Sequence, residues 1–403
     1  MTNRDISDGW ERIPRKQSSR QGLFLDQAQN FTAMLSSTSQ TGYLLAYRDK
    51  SESPLSWIFS FLLHSGILRT VATTTGGERM YGFVKVVLSR KGFDSEAGGG
   101  YSPFDPQTGV YLVLPIPMDE MDGKELNIST PLKYEAIHIK TEYLPGYSAS
   151  NLGSFLMEAK GKKATIKGKE SEYAHLDPWL GPCPWLAGDS NHPIGAFGQV
   201  DKPQAHLHNQ DVGKGSLFLF FSRFVPIPKR KNLIVPSVSS EHLDRGLYFI
   251  YGWLKVKEVI QQYEDIQDPK VLSHHPHATK KYFETYANKP KGKNTIYIAD
   301  EFLFNNGSNF RGCGYFPRLN KDLLLTATDC AQQPRTWIPS RWSLPGFFFE
   351  KSPSCLKRRK WCRRGDGSCL VETSGQWQEA VFEESEEFCQ WFCRLLAHVV
   401  DNV

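Results

Sequence analysis

Leu217–Phe224 reads LFLFFSRF, and Leu247–Val259 reads LYFIYGWLKVKEV. Large aromatic and branched side chains at consecutive positions suit strands covered on both faces. Toward the end of the second run Leu254, Val256 and Val259 interleave with Lys255, Lys257 and Glu258, as in a half-buried strand. A turn at Val212–Gly215 leads into the first run, and a short helix is expected before it over Gln204–Gln210 (QAHLHNQ). Together the two runs predict an antiparallel β core.

Upstream, Val84–Leu88 (VKVVL) predicts a buried strand, followed by a stretch dense in Gly, Pro and Asp through Pro117 that reads as a loop over a surface site. A further strand is expected within 128–142, and 161–172 (GKKATIKGKESE) reads as a basic loop facing solvent. Downstream, 263–293 is polar, while Thr295–Ala299 (TIYIA) and Leu323–Thr326 (LLLT) predict short strands. Near the end, Ser385 can cap a helix with Glu386 and Glu387 in its first turn. Phe388, Trp391, Phe392, Leu395, Leu396 and Val399 share one face of that helix, which should dock on the sheet. No fixed-period repeat is visible. The expected class is α+β: a mixed or antiparallel β core with peripheral helices and a C-terminal helix.

The chain has 403 residues, 40% hydrophobic and 23% charged, which excludes collagen-like, coiled-coil and wholly disordered classes. Its net charge of +5 permits an anionic partner without requiring one. Eight cysteines are sparse for this length and the first twenty residues are polar, so an intracellular protein, cytoplasmic or nuclear, is expected. The apolar run Leu55–Leu68 is shorter than the ~20 residues of a spanning helix, and no membrane association is expected. Residues 1–83, rich in Ser, Thr, Gln and Arg, read as a loosely structured N-terminal extension to a domain at 84–403.

Five groups could carry chemistry. Ser89-Arg90-Lys91-Gly92-Phe93-Asp94-Ser95 runs into Gly98-Gly99-Gly100 directly after the first strand. Two cations, hydroxyls, a carboxylate and accessible backbone N–H groups suit a phosphate or ribose, though a solvated basic turn has the same composition. Neither a Walker nor a GxGxxG spacing is present. The second group is His175-Leu176-Asp177-Pro178 with Gln199, Gln204, His206, His208, Asn209 and Gln210. A histidine beside a carboxylate can act as a general base, and amides can read a base edge. His206 and His208 share a face only if their segment is extended, so a backbone hydrogen-bonding role is expected ahead of metal ligation.

The third group, His274, His275 and His277 beside Pro276, lacks a carboxylate or Cys at ligand spacing and reads as a solvent loop; no metal site is expected. Fourth, Cys355, Cys362 and Cys369 recur every seven residues and Cys389 and Cys393 lie four apart, but no CxxC occurs. Last, Lys357-Arg358-Arg359-Lys360-Trp361-Cys362-Arg363-Arg364, with the smaller Lys229-Arg230-Lys231, could contact nucleic acid, serve as an import signal, or have no role.

In content and order, VKVVLSRKGFDSEAGGGYSPFDPQTGVYLVLPIP, AHLDP, FGQVDKPQAHLHNQDVGKGSLFLFFSRF and YFIYGWLKVKEVI resemble the third type of nucleotide modification associated domain. The resemblance runs from about Val84 to the C-terminus and implies work on modified nucleotides in nucleic acid. It also implies that residues 1–83 lie outside the family domain, with Met80 a candidate start. Two departures stand out: Gly215 is followed by Ser216 where the family usually has Asp, and Trp179 follows HLDP where the family has a second acid. The turn and two strands around GKGSLFLFF also resemble the hairpin of PUA-like barrels, at the level of fold only.

Two readings follow, with an intracellular scaffold as the plainest remainder. In one, an enzyme holds nucleotide phosphate on Arg90 and Lys91, with Ser89, Ser95, Gly98 and Gly99 lining the site; Asp94 orients sugar or activates a nucleophile, and His175 with Asp177 moves a proton. In the other, a non-catalytic reader of DNA or RNA bases uses Gln199, Gln204, His206 and Asn209 with aromatic residues around Phe220 and Trp253, aided by Lys357, Arg358, Arg359, Lys360 and Trp361. Cofactor and oligomeric state stay open.

Overall fold

The computed structural model describes residues 83–94, 97–118, 132–143, 146–187, 195–227, 245–267, 272, 275–304, 310–328, 338–350, 353–355, 360–372 and 379–400. The expected N-terminal extension, apart from Phe83, and the run Leu55–Leu68 lie outside them.

Fourteen strands are described: β1 (Val86–Arg90), β2 (Ser102–Phe104), β3 (Ala164–Ile166), β4 (Lys169–Ser171), β5 (Ala196–Gln199), β6 (Leu217–Pro226), β7 (Leu247–Ile260), β8 (Thr295–Ala299), β9 (Cys313–Tyr315), β10 (Arg341–Pro345), β11 (Ser354–Cys355), β12 (Lys360–Arg363), β13 (Ser368–Glu372) and β14 (Glu379–Phe382). The helices are α1 (Leu152–Lys160), α2 (Asp201–Asn209), α3 (Lys280–Tyr286), α4 (Phe347–Glu350) and α5 (Glu386–Val400). The main sheet runs β11-β14-β1-β6-β7-β8-β5, with β2 also on β6 and β9 also on β7. β1 pairs with β6 in parallel and with β14 antiparallel. The class is α+β, as expected. Among the described residues the sheet is open at β11 and β5 and closes no barrel of the kind the PUA-like hairpin suggested.

β6 and β7 are the two deciding runs, and they do pair antiparallel, from Leu217 opposite Lys255 to Phe224 opposite Leu247. Both faces of β6 are covered, which is why its pattern does not alternate. Phe218 and Phe220 pack on Phe197 at 5.0 and 5.2 Å, while Phe221 packs on Trp342 at 4.8 Å. Truncating one such buried ring to Ala costs roughly 3–5 kcal/mol. α5 starts as expected, with Ser385 Oγ accepting from Phe388 N at 3.2 Å, and Phe392 meets Phe83, just before β1, at 6.3 Å.

Several connections differ from expectation. Within 128–142 the described residues form two 3-10 turns, Tyr134–Ala136 and Thr141–Tyr143. The Tyr134 side chain is buried and donates to Pro115 O at 2.6 Å, which anchors the chain sideways where a strand would run on. The basic loop at 161–172 is a hairpin, β3 with β4. Lys167 and Gly168 both take positive φ, the two-residue turn that matches strand twist. In place of a strand at Leu323–Thr326, a 3-10 turn, Lys321–Leu323, is followed by single bridges from Leu324 to Phe249 and from Thr326 to Trp342. The polar segment 263–293 contains α3 and sends His275 and His277 into the interior. Among the described residues no helix is long and apolar enough to cross a membrane.

Candidate functional site

β1 and β5 position the site. Side chains along a strand alternate, so Ser89 and Lys91 project to one face and Arg90 to the other. The pleat therefore divides the predicted phosphate group. Arg90 lies over the Tyr248 ring at 5.8 Å and pairs with Asp94 at 3.6 Å. Asp94 Oδ1 accepts from Ala97 N at 2.6 Å and closes its own turn. Gly98 is needed there for its backbone: its φ is +99°, and a Cβ would sit 2.4 Å from the Phe93 ring. Gly98 and Gly99 thus shape the loop beside Thr165 and Lys160, while Ser95 lies outside the described residues.

On the other face, the Lys91 ammonium sits over the Phe197 ring at 4.5 Å and 3.9 Å from Glu379 Oε1. Glu379 is 0% exposed. The same oxygen accepts from Gln199 Nε2 at 2.6 Å and from Ser89 Oγ at 3.4 Å. Burial pushes the Glu379 carboxyl up to about 7, against the pull of Lys91, Ser89 and Gln199. Gln204 joins this face by accepting from the Tyr297 hydroxyl at 3.0 Å.

The residue just before Gln199 holds a second carboxylate. Gly198 N donates to Asp177 Oδ1 at 2.8 Å, and Gly198 has no room for a side chain because a Cβ would lie 2.2 Å from His277 Cγ. Three histidines surround Asp177. His275 Nε2 is 3.1 Å from Oδ1, His277 Nε2 is 3.9 Å from Oδ2, and the His175 ring meets that of His277 edge-on at 5.1 Å. One nitrogen each from His175 and His277 and one Asp177 oxygen lie within 4.8 Å of one another.

Burial pushes His175 down to about 4 and His277 to about 3, so both rings are neutral near pH 7 despite the adjoining carboxylate. Burial would raise Asp177, but the imidazoles of His275, His277 and His175 outweigh it and hold the carboxyl below its ordinary range. Lys91 also depresses His175, which ties the two groups into one polar neighbourhood on either side of β5.

The tract at 274–277 was expected to be a solvent loop. His275 and His277 are instead 6% and 4% exposed, and His274 lies outside the described residues. Their company, Asp177 and Asn294, is remote in sequence, which is why ligand spacing gave no signal. Glu379 was also missed, and only its pairing register opposite Ser89 reveals it.

Other predicted residues lie elsewhere. His206, on α2, has its Nε2 3.3 Å from Ser354 O, and burial, opposed by that bond, lowers its pKa. Since this segment is helical, His206 and His208 do not share a face, and His208 is exposed. Asn209 is exposed and accepts from Lys291 Nζ at 2.7 Å. Lys360 is exposed on β12, whereas Trp361 packs on Phe382 at 6.0 Å and is not a free stacking ring. Lys357, Arg358, Arg359 and Lys229–Lys231 lie outside the described residues. Burial raises the thiols of Cys389 and Cys393, which argues against a thiolate nucleophile.

The family model described as nucleotide modification associated domain 3 matches residues 85–383, most of the chain and all of the site. The chain belongs to that family, whose description associates it with nucleotide modification. Comparisons with curated proteins and with solved structures returned no match.

Proposed function

We propose that this chain binds a phosphate-bearing nucleotide, free or within DNA or RNA, beside the end of β1 and acts on it there. Lys91 carries the reading. Its ammonium is largely buried on an aromatic ring, its carboxylate neighbour is 3.9 Å away, and among the described residues no hydrogen bond engages it. A desolvated cation with unspent donors is a receptor for an oxyanion. Gln199 and Glu379 lie beside it, and a carboxyl pushed up to about 7 by burial can give or take a proton near neutrality. His175, whose proton affinity Lys91 lowers, and Asp177 lie near it. Arg90 and Asp94, engaged with each other on the opposite face, are assigned to the loop and not to the reaction.

The test is titration calorimetry with nucleoside monophosphates and short oligonucleotides at two salt concentrations, alongside product analysis. Lys91→Met should weaken phosphate-bearing ligands about tenfold or more and flatten the salt dependence. Glu379→Gln should keep binding and lose product. Equal affinity in Lys91→Met removes the proposed anion site, and oligonucleotide binding with no product in the wild type favours the reader.

A further inference from the structure

We propose that His175, Asp177 and His277 form a binding site for a divalent first-row transition ion. This stands on donor geometry alone and does not depend on the nucleotide reading. Asn294 settles the chemistry of His277. Its Nδ2 donates to His277 O at 2.8 Å, so the amide oxygen faces His277 Nδ1, also at 2.8 Å, and that nitrogen must donate. That leaves Nε2 as the ring nitrogen able to coordinate, 3.9 Å from Asp177 Oδ2. A cation fits between an imidazole nitrogen and a carboxylate oxygen at that separation. An ion about 2.1 Å from each donor would hold such a pair about 3 to 4 Å apart.

Independent observations mark the spot as a ligand site. The Nδ1 of His175 is buried and makes no hydrogen bond among the described residues. His275, more than nine-tenths buried, spends its Nε2 on Asp177 Oδ1 at 3.1 Å, and its buried Nδ1 makes no hydrogen bond among the described residues. Unsatisfied buried polar groups are costly, and coordination removes the cost. The outer support is also present: Asn294 fixes the His277 tautomer, Gly198 N anchors Asp177, and the bare Cα of Gly198 sets the ring plane. Two imidazoles and one carboxylate suit Zn2+, Fe2+, Co2+ or Mn2+ better than Mg2+ or Ca2+, and three protein ligands leave positions open for water or substrate.

The experiment uses the untagged full chain, stripped with a chelator and titrated with Zn2+ and Co2+ in the presence of excess Mg2+. Binding of one ion per chain is expected, with weak ligand-field bands for Co2+. Asp177→Asn and His277→Gln should lower affinity at least tenfold, Asn294→Ala about ten- to a hundredfold, and His206→Gln not at all. X-ray absorption at the zinc edge needs no variant and covers the case in which Asp177→Asn does not fold; it should show two imidazoles, light donors and no sulfur. Absence of binding, a thiolate charge-transfer band, sulfur at the zinc, or affinity indifferent to both Asn294→Ala and His277→Gln overturns the site.

Discussion

Asp177 and Glu379 are both enclosed carboxylates, held by consecutive residues of β5, and the protein treats them in opposite ways. Burial raises the proton affinity of each, because water leaves the charged form. At Asp177 this push is outweighed by the three imidazoles, and the carboxyl stays below the ordinary range. At Glu379 an ammonium at 3.9 Å, one amide and one hydroxyl do not suffice, and the carboxyl is pushed up to about 7. Depth is shared by the two groups. The neighbours around each, three imidazoles against one ammonium, decide which remains an anion and which becomes a proton store.

The strongest way to break this comparison is to remove the anion. Asp177→Leu leaves Gly198 N–H and the histidines facing an apolar group and should destabilise the fold by roughly 3–5 kcal/mol in urea unfolding. A loss under about 1 kcal/mol would mean that the carboxylate is not the hub of the pocket.

Glu379→Gln tests the other side. The folded-state pKa of Glu379 lies above its unfolded value, so the folded chain holds the extra proton, and stability from this group falls as pH rises from about 4.5 to about 7. Removing the charge should therefore leave the metal-free variant close to the wild type near pH 4 and more stable above pH 7, by on the order of 3 kcal/mol. Parallel stability profiles for the two chains would place the Glu379 carboxyl in its ordinary range.

Gly198→Ala sharpens the link between the two carboxylates. The added methyl meets His277 and should cost about 1–3 kcal/mol while displacing the His277 imidazole signal in NMR. An unchanged imidazole spectrum would show that the ring is not held by this contact. Asn209→Ala, at the exposed pair with Lys291, sets the floor: a change within about 0.5 kcal/mol is expected in the same unfolding assay.

Legibility in the sequence followed the range of the forces involved. β6, β7 and β8 were readable because burial on both faces leaves a continuous apolar run, α5 because burial of one face writes a helical period, and Ser385 because a cap acts within one turn. The pair His175 and Asp177 was found because both lie in one short motif. The tract around His275 was misjudged because a run of histidines looks polar until a distant acceptor is brought to it. Grouping Arg90 with Lys91 failed for a simpler reason, since adjacent strand residues face opposite sides.

Local pattern determined the α+β class, the central strand pair and the terminal helix, and the ordered series of motifs carried the family resemblance. Only the tertiary structure decided that Glu379 faces Ser89 across 290 positions of chain, that His277 reaches Asp177, and that β5 divides and joins the two groups. Such contacts depend on strand register and loop closure, which no local window contains, and a carboxylate acquires its proton affinity only from the neighbours that folding supplies.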